Sequence, residues 1–128
     1  SRLRAVTLAS EIAERMEANP RGAQGGHYAL NATSSATTAS ANCASLSCAP
    51  QQLADFDLAQ WTAQAEATLK LEEMSIDSVA ATGGATTYRI SLSWREPRGR
   101  QRYDSSAGTA ATETMTYVAT KVVRNVSF

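Results

Sequence analysis

In residues 86 to 96, TTYRISLSWRE, Tyr88, Ile90, Leu92 and Trp94 alternate strictly with Arg89, Ser91, Ser93 and Arg95. Successive side chains of a β-strand point to opposite faces, so this run reads as a strand with one buried and one wet face. A sheet face this apolar must be covered, and the N-terminal half of the chain supplies covers of a different period. Ala5, Leu8, Ala9, Ile12, Ala13 and Met16 recur at spacings of three and four, which predicts an amphipathic helix over about residues 3–18. Asn19-Pro20 ends it, because a residue before proline is pushed out of the helical region. Ala54, Leu58, Trp61, Ala65 and Leu69 repeat the stripe in a second helix, over about 51–71. Pro50 stands near its start, and Asp55 and Asp57 fall in or near its first turns, where acids suit the positive end of a helix.

The central strand has neighbours on both sides. Upstream, EMSIDSVAA runs into Gly83-Gly84, a pair suited to a tight hairpin turn. Downstream, TETMTYVATKVVRNVS is rich in Thr, Val and Tyr, with Met115, Tyr117, Ala119 and Val123 on one face. Helices first and strands last predict an α+β fold, with both helices on one face of an antiparallel meander of three to four strands over about 74–127. A chain of 128 residues suits one domain, 1–128, with one modest core. Trp61, Trp94, Tyr88, Ile90 and Leu92 are its expected large members. Residues 20–50 read as loop, and 30–49, almost entirely Ala, Ser, Thr and Asn, have little to bury unless something pins them.

That loop holds the two cysteines, Cys43 and Cys48. Two thiols and a lone His27 fall short of the four ligands of a structural zinc site, and the spacing is not that of a thioredoxin-like pair. A disulfide closing a small loop fits best and implies an oxidising compartment. In the chain-entropy picture so short a loop contributes roughly 2 kcal/mol, so the clasp shapes the loop more than it holds up the fold.

Neither a nucleophile elbow nor a phosphate-binding glycine loop is present, and the acid pairs Glu72-Glu73 and Asp55/Asp57 read as solvated charges. No catalytic residue, cofactor site or metal site is therefore expected, and the chain does not read as an enzyme. A formal net charge of zero argues against broad binding to nucleic acid. Arg98, Arg100 and Arg102 nonetheless form a basic cluster before Tyr103, either a solvated connection or a partner loop.

Three segments taken together resemble the PilV family of minor pilins of bacterial type IV pili. The residues are Ile12, Ala13, Arg15, Met16, Asn19 and Pro20; then Leu53, Ala54, Asp57 and Trp61; then Tyr88, Ile90, Leu92 and Trp94. The resemblance implies a pilin-like fold and a structural subunit that primes pilus assembly within a minor-pilin tip complex. It implies as partners other minor pilins, the major pilin and a tip adhesin. Leu8, Ile12 and Met16 become the assembly helix, dividing between their own sheet and a neighbour. The chain lacks an initiator Met and reads as helix almost from its first residue. The resemblance explains this as a long helix cut in the middle, whose missing apolar half anchors the subunit in the inner membrane. The domain would then face the periplasm and later the extracellular pilus. Two other readings share these features. One is a pseudopilin of type II secretion. The other is a DNA-binding pilin for DNA uptake, with Arg98, Arg100 and Arg102 as contacts.

Overall fold

In the computed structural model, residues 1–97 and 112–124 are described, with backbone alone for 80–82. Helix α1 spans Arg2–Ala18, α2 Pro20–Gln24 and α3 Pro50–Thr68; strands are β1 Leu30–Thr33, β2 Leu71–Thr82, β3 Ala85–Pro97 and β4 Thr112–Arg124. The strands form one antiparallel sheet in the order β1-β2-β3-β4. Helices α1 and α3 pack together on one face of it, as the change of period predicts.

The inward alternation of β3 is as expected: Tyr88, Ile90, Leu92 and Trp94 are all buried. Met74 and Ile76 of β2 join them, as do Val123 and the half-buried Met115, Tyr117 and Ala119 of β4. From above come Ala5, Leu8, Ala9, Ile12 and Met16 of α1 and Ala54, Leu58, Trp61 and Ala65 of α3. The alanines let the two helices approach closely enough for the Trp61 indole Nε1–H to donate to the Leu8 carbonyl at 2.7 Å. A buried indole is tolerated only where its N–H finds such a partner.

The structure corrects four expectations. Asn19 does end α1, with φ −132° and ψ 65°, but Pro20 then starts a second short helix where loop is expected. Its fixed φ suits the first helical position, and the Asn19 side chain caps it by accepting the Gly22 N–H at 3.4 Å. Within the expected loop, Leu30–Thr33 is a strand, pairing Leu30 with Ile76 and Thr33 with Met74. Its sequence, LNAT, carries almost no strand signal, and the pairing comes from β2. Helix α3 stops at Thr68, not near 71, because Leu69 turns extended and Leu71 is already paired with Trp94. The first turn of α3 contains no acid, and Asp57 lies two turns in. Gln52 Oε1 instead accepts the Ala49 N–H at 2.9 Å.

The expected hairpin turn is present. Thr82 pairs with Ala85 across Gly83 and Gly84, at φ +62° and +79°, a conformation that costs a side chain but not glycine.

This packing predicts a sharp contrast along α1. Ile12→Ala should lower stability by about 2–5 kcal/mol, whereas Leu3→Ala, on the exposed side, should change it by less than about 0.5 kcal/mol. Urea unfolding followed by tryptophan fluorescence measures both; a larger cost at Leu3 than at Ile12 would mean that α1 is turned the other way.

Candidate assembly surface

Leu8, Ile12 and Met16 lie wholly inside the chain's own core, at no more than 2 % exposure. The stripe does not divide between this sheet and the outside. What α1 offers outward is the opposite stripe, Leu3, Val6, Ser10, Glu14 and Glu17, again at spacings of three and four and all exposed. Leu3 is 78 % and Val6 38 % exposed, two aliphatic side chains one turn apart on the same outward face. Beside them a groove of about 230 Å³ runs between α1 and α3, lined by Leu3, Arg4, Thr7, Leu8, Glu11, Gln64 and Thr68.

The stripe is held in place from both ends. Near the start of α1, Arg4 Nη1 donates to the Thr68 carbonyl at 3.1 Å, placing a cation at the negative end of α3. Arg2 lies over the Tyr117 ring at 5.4 Å. Near the far end, Glu17 pairs with Lys121 of β4 at 3.3 Å.

Behind the stripe sits a buried polar node. Arg15 Nη1 donates to Asp57 Oδ1 at 2.8 Å and to Gln60 Oε1 at 2.9 Å. The Tyr28 hydroxyl donates to Asp57 Oδ2 at 2.5 Å, with the Arg15 carbonyl 3.2 Å away. Asn19 Nδ2 donates to that same hydroxyl at 3.2 Å and to the Pro50 carbonyl at 2.9 Å. Asp57 is 7 % and Asn19 6 % exposed, and among the described residues no buried side-chain N or O atom lacks a partner. The node therefore ties the end of α1, the α2 turn and α3 into one unit. From sequence alone Asp57 reads as a charge near the start of a helix and Tyr28 as part of a loop. The available signal was a lone tyrosine in GGHYAL, too bulky and apolar for a solvated turn.

The two cysteines are joined, Cys43 to Cys48, as expected. The loop they clasp lies along α3: the Thr37 N–H donates to Thr62 Oγ1 at 2.9 Å and the Ala36 N–H to Glu66 Oε1 at 3.3 Å. A groove of about 580 Å³ remains between residues 37–42 and Phe56, Ala59, Gln60 and Ala63. Arg98, Arg100 and Arg102 fall outside the described residues. Among the described residues no three His, Cys, Asp or Glu side chains gather as metal ligands, and no helix is long and apolar enough to cross a membrane.

Burial raises the pKa of Tyr28, and the carboxylate of Asp57 beside it raises it further. Burial also raises that of Tyr88, whose hydroxyl donates to the Ala23 carbonyl at 2.5 Å. Both groups hold their protons more tightly folded than unfolded, so the stabilisation is complete below about pH 10 and declines as pH rises above it. Urea midpoints should be level from pH 8 to about 10 and then fall, and Tyr28→Phe should flatten that fall. At neutral pH, Asp57→Ala should cost about 1–3 kcal/mol, since the buried acceptor shared by Arg15 and Tyr28 is lost while Arg15, a third exposed, keeps Gln60 and Tyr28 keeps the Arg15 carbonyl.

Residues 1–59 match a protein-family model described as Tt1218-like, type IV pilin Tt1218. The matched segment carries α1, α2, β1 and the first half of α3, and with them Arg15, Asn19, Tyr28 and Asp57 of the node. No curated protein and no solved structure is matched. The similarity supports a type IV pilin, and with it a structural role in pilin–pilin assembly.

Proposed function

We propose that this chain is a structural minor pilin that primes type IV pilus assembly as part of a minor-pilin tip complex. The observation that carries the reading is the pilin similarity over residues 1–59, on a chain whose first helix lies on an antiparallel sheet with an outward stripe still exposed. The role is mechanical, and the chemistry is that of association. Leu3 and Val6, costly to leave in water, are the apolar centre of the contact, and Ser10 allows a second helix close approach. Glu14 and Glu17 lie at its rim, where charge sets register and partner choice more than affinity. The partners in this reading are other minor pilins and the major pilin, with a tip adhesin beyond them. The subunit passes from the inner membrane, its head in the periplasm, to the extracellular pilus. The Cys43–Cys48 bond suits that oxidising route.

Deleting the gene should abolish or sharply reduce surface pili, counted by electron microscopy, while cellular pools of the major pilin persist; normal piliation in that strain would overturn the reading. Leu3→Glu with Val6→Glu should leave the urea midpoint of the isolated chain within experimental error, because both side chains face water. The same double variant should lower piliation as far as the deletion does. Wild-type piliation in it would move the assembly contact off this stripe.

A further inference from the structure

The two edges of the sheet are built differently. β1, at one edge, has four residues and an irregular register against β2. Short and irregular edge strands are how proteins keep foreign strands from pairing. β4, at the other edge among the described residues, has 13 residues, no proline, and an unbroken register against β3 from Ala85↔Arg124 to Pro97↔Thr112. Its charges are only Glu113, Lys121 and Arg124. This is an edge on which another strand can add.

The direction of its free hydrogen bonds follows from the hairpin. The two-residue turn makes Thr82 and Ala85 the bonded closing pair, so odd-numbered residues of β3 bond to β2 and even-numbered ones to β4. The irregularity near Val79/Thr82 adds its extra residue to β2 and leaves this phase of β3 intact. Leu92↔Tyr117 and Ile90↔Ala119 are then bonded pairs, and the even-numbered residues of β4 turn their N–H and C=O groups away from the sheet. Two contacts agree. The Arg124 carbonyl accepts Gln24 Nε2–H at 3.1 Å instead of a β3 donor. Ser93 and Thr116, opposite each other, bring their hydroxyls to 3.0 Å, the close approach of a non-bonded pair.

We propose that the outer edge of β4 is a homodimer interface, pairing antiparallel with β4 of a second copy about a two-fold axis at Tyr117. Outward groups can meet only outward groups, so even-numbered residues must face even-numbered residues. Of the registers that obey this, the one centred on Tyr117 sets Glu113 of each copy opposite Lys121 of the other, on the same face. Centring on Val118 would set Glu113 opposite the buried Val123, and no permitted register sets Glu113 opposite Arg124. In the Tyr117 register Thr114 faces Thr120 and Thr116 faces Val118, β-branched pairs that suit a sheet. Lys121, already paired with Glu17 of its own chain, becomes shared between two carboxylates. The pairing stops short of Arg124, whose carbonyl is taken by Gln24. None of this depends on the pilin reading.

Sedimentation equilibrium of the whole chain, from micromolar to about 1 mM, tests it. A concentration-dependent dimer is expected. Val118→Pro removes only an outward N–H, so it should abolish the dimer with the far-UV circular dichroism unchanged. Glu113→Lys should weaken the dimer roughly tenfold by turning two attractions into repulsions, and adding Lys121→Glu should restore it. A monomer throughout the range, or a dimer that survives both Val118→Pro and Glu113→Lys, overturns the proposal.

Discussion

One constraint governs this molecule: a single helix, α1, must bury one narrow stripe so completely that its opposite stripe is fixed in space. Five of its residues are alanines or aliphatics within the core, and none of the five exceeds 2 % exposure. Packing at that density allows little rotation about the helix axis, since any roll would lift Ile12 or Met16 from the sheet. The Trp61 bond to the Leu8 carbonyl and the Arg15–Asp57 pair then fix α1 along its length, the first at mid-helix and the second near its end. A surface used for association benefits from this. The less freedom it loses on binding, the more of its contact energy appears as affinity.

The Arg15–Asp57–Tyr28–Asn19 node illustrates what a polar core adds. A buried ion pair is weak evidence for stability on its own, because desolvation offsets much of its attraction. Here every partner is also hydrogen-bonded, and the groups come from three segments, α1, the α2 turn and α3, that already share one core. Its bonds link the end of α1, the α2 turn and the start of α3 at Pro50.

Much of the fold was legible in the sequence, because its large apolar residues obey one period at a time. Tyr88 to Trp94 keep period two, and the α1 and α3 stripes keep steps of three and four. What was not legible depended on partners distant in the chain. LNAT becomes a strand only because β2 offers its edge, and Leu71 leaves the helix because Trp94 lies opposite. Asn19-Pro20 signals a stop in the sequence and gives no sign of a new start, although the same two residues perform both tasks. The site was less legible than the fold. A helical stripe reveals which residues share a face but not what covers that face, so the sequence leaves Leu8, Ile12 and Met16 divided between their own sheet and a neighbour, whereas the core takes all three. The cysteines needed no such information: five positions apart in sequence, they could meet without any help from the rest of the fold.

The sheet carries the same lesson at its edges. Alternation in β4 predicts which side chains face the helices, and it says nothing about the backbone, whose donors alternate in the plane of the sheet. Only the register with β3, itself set in phase by the two-residue turn between β2 and β3 nearly thirty positions before β4 begins, tells which residues of β4 are spent on β3 and which are not. Among the described residues the chain thus exposes an apolar stripe on its helix and an unpaired row on its strand, each the complement of something buried. Leu3 and Val6 are outside because Leu8 and Ile12 are inside, and the even-numbered amides of β4 face away because the odd-numbered ones hold β3. Association surfaces of this kind arise as the remainder left by folding, and selection has only to choose the residues that fill them.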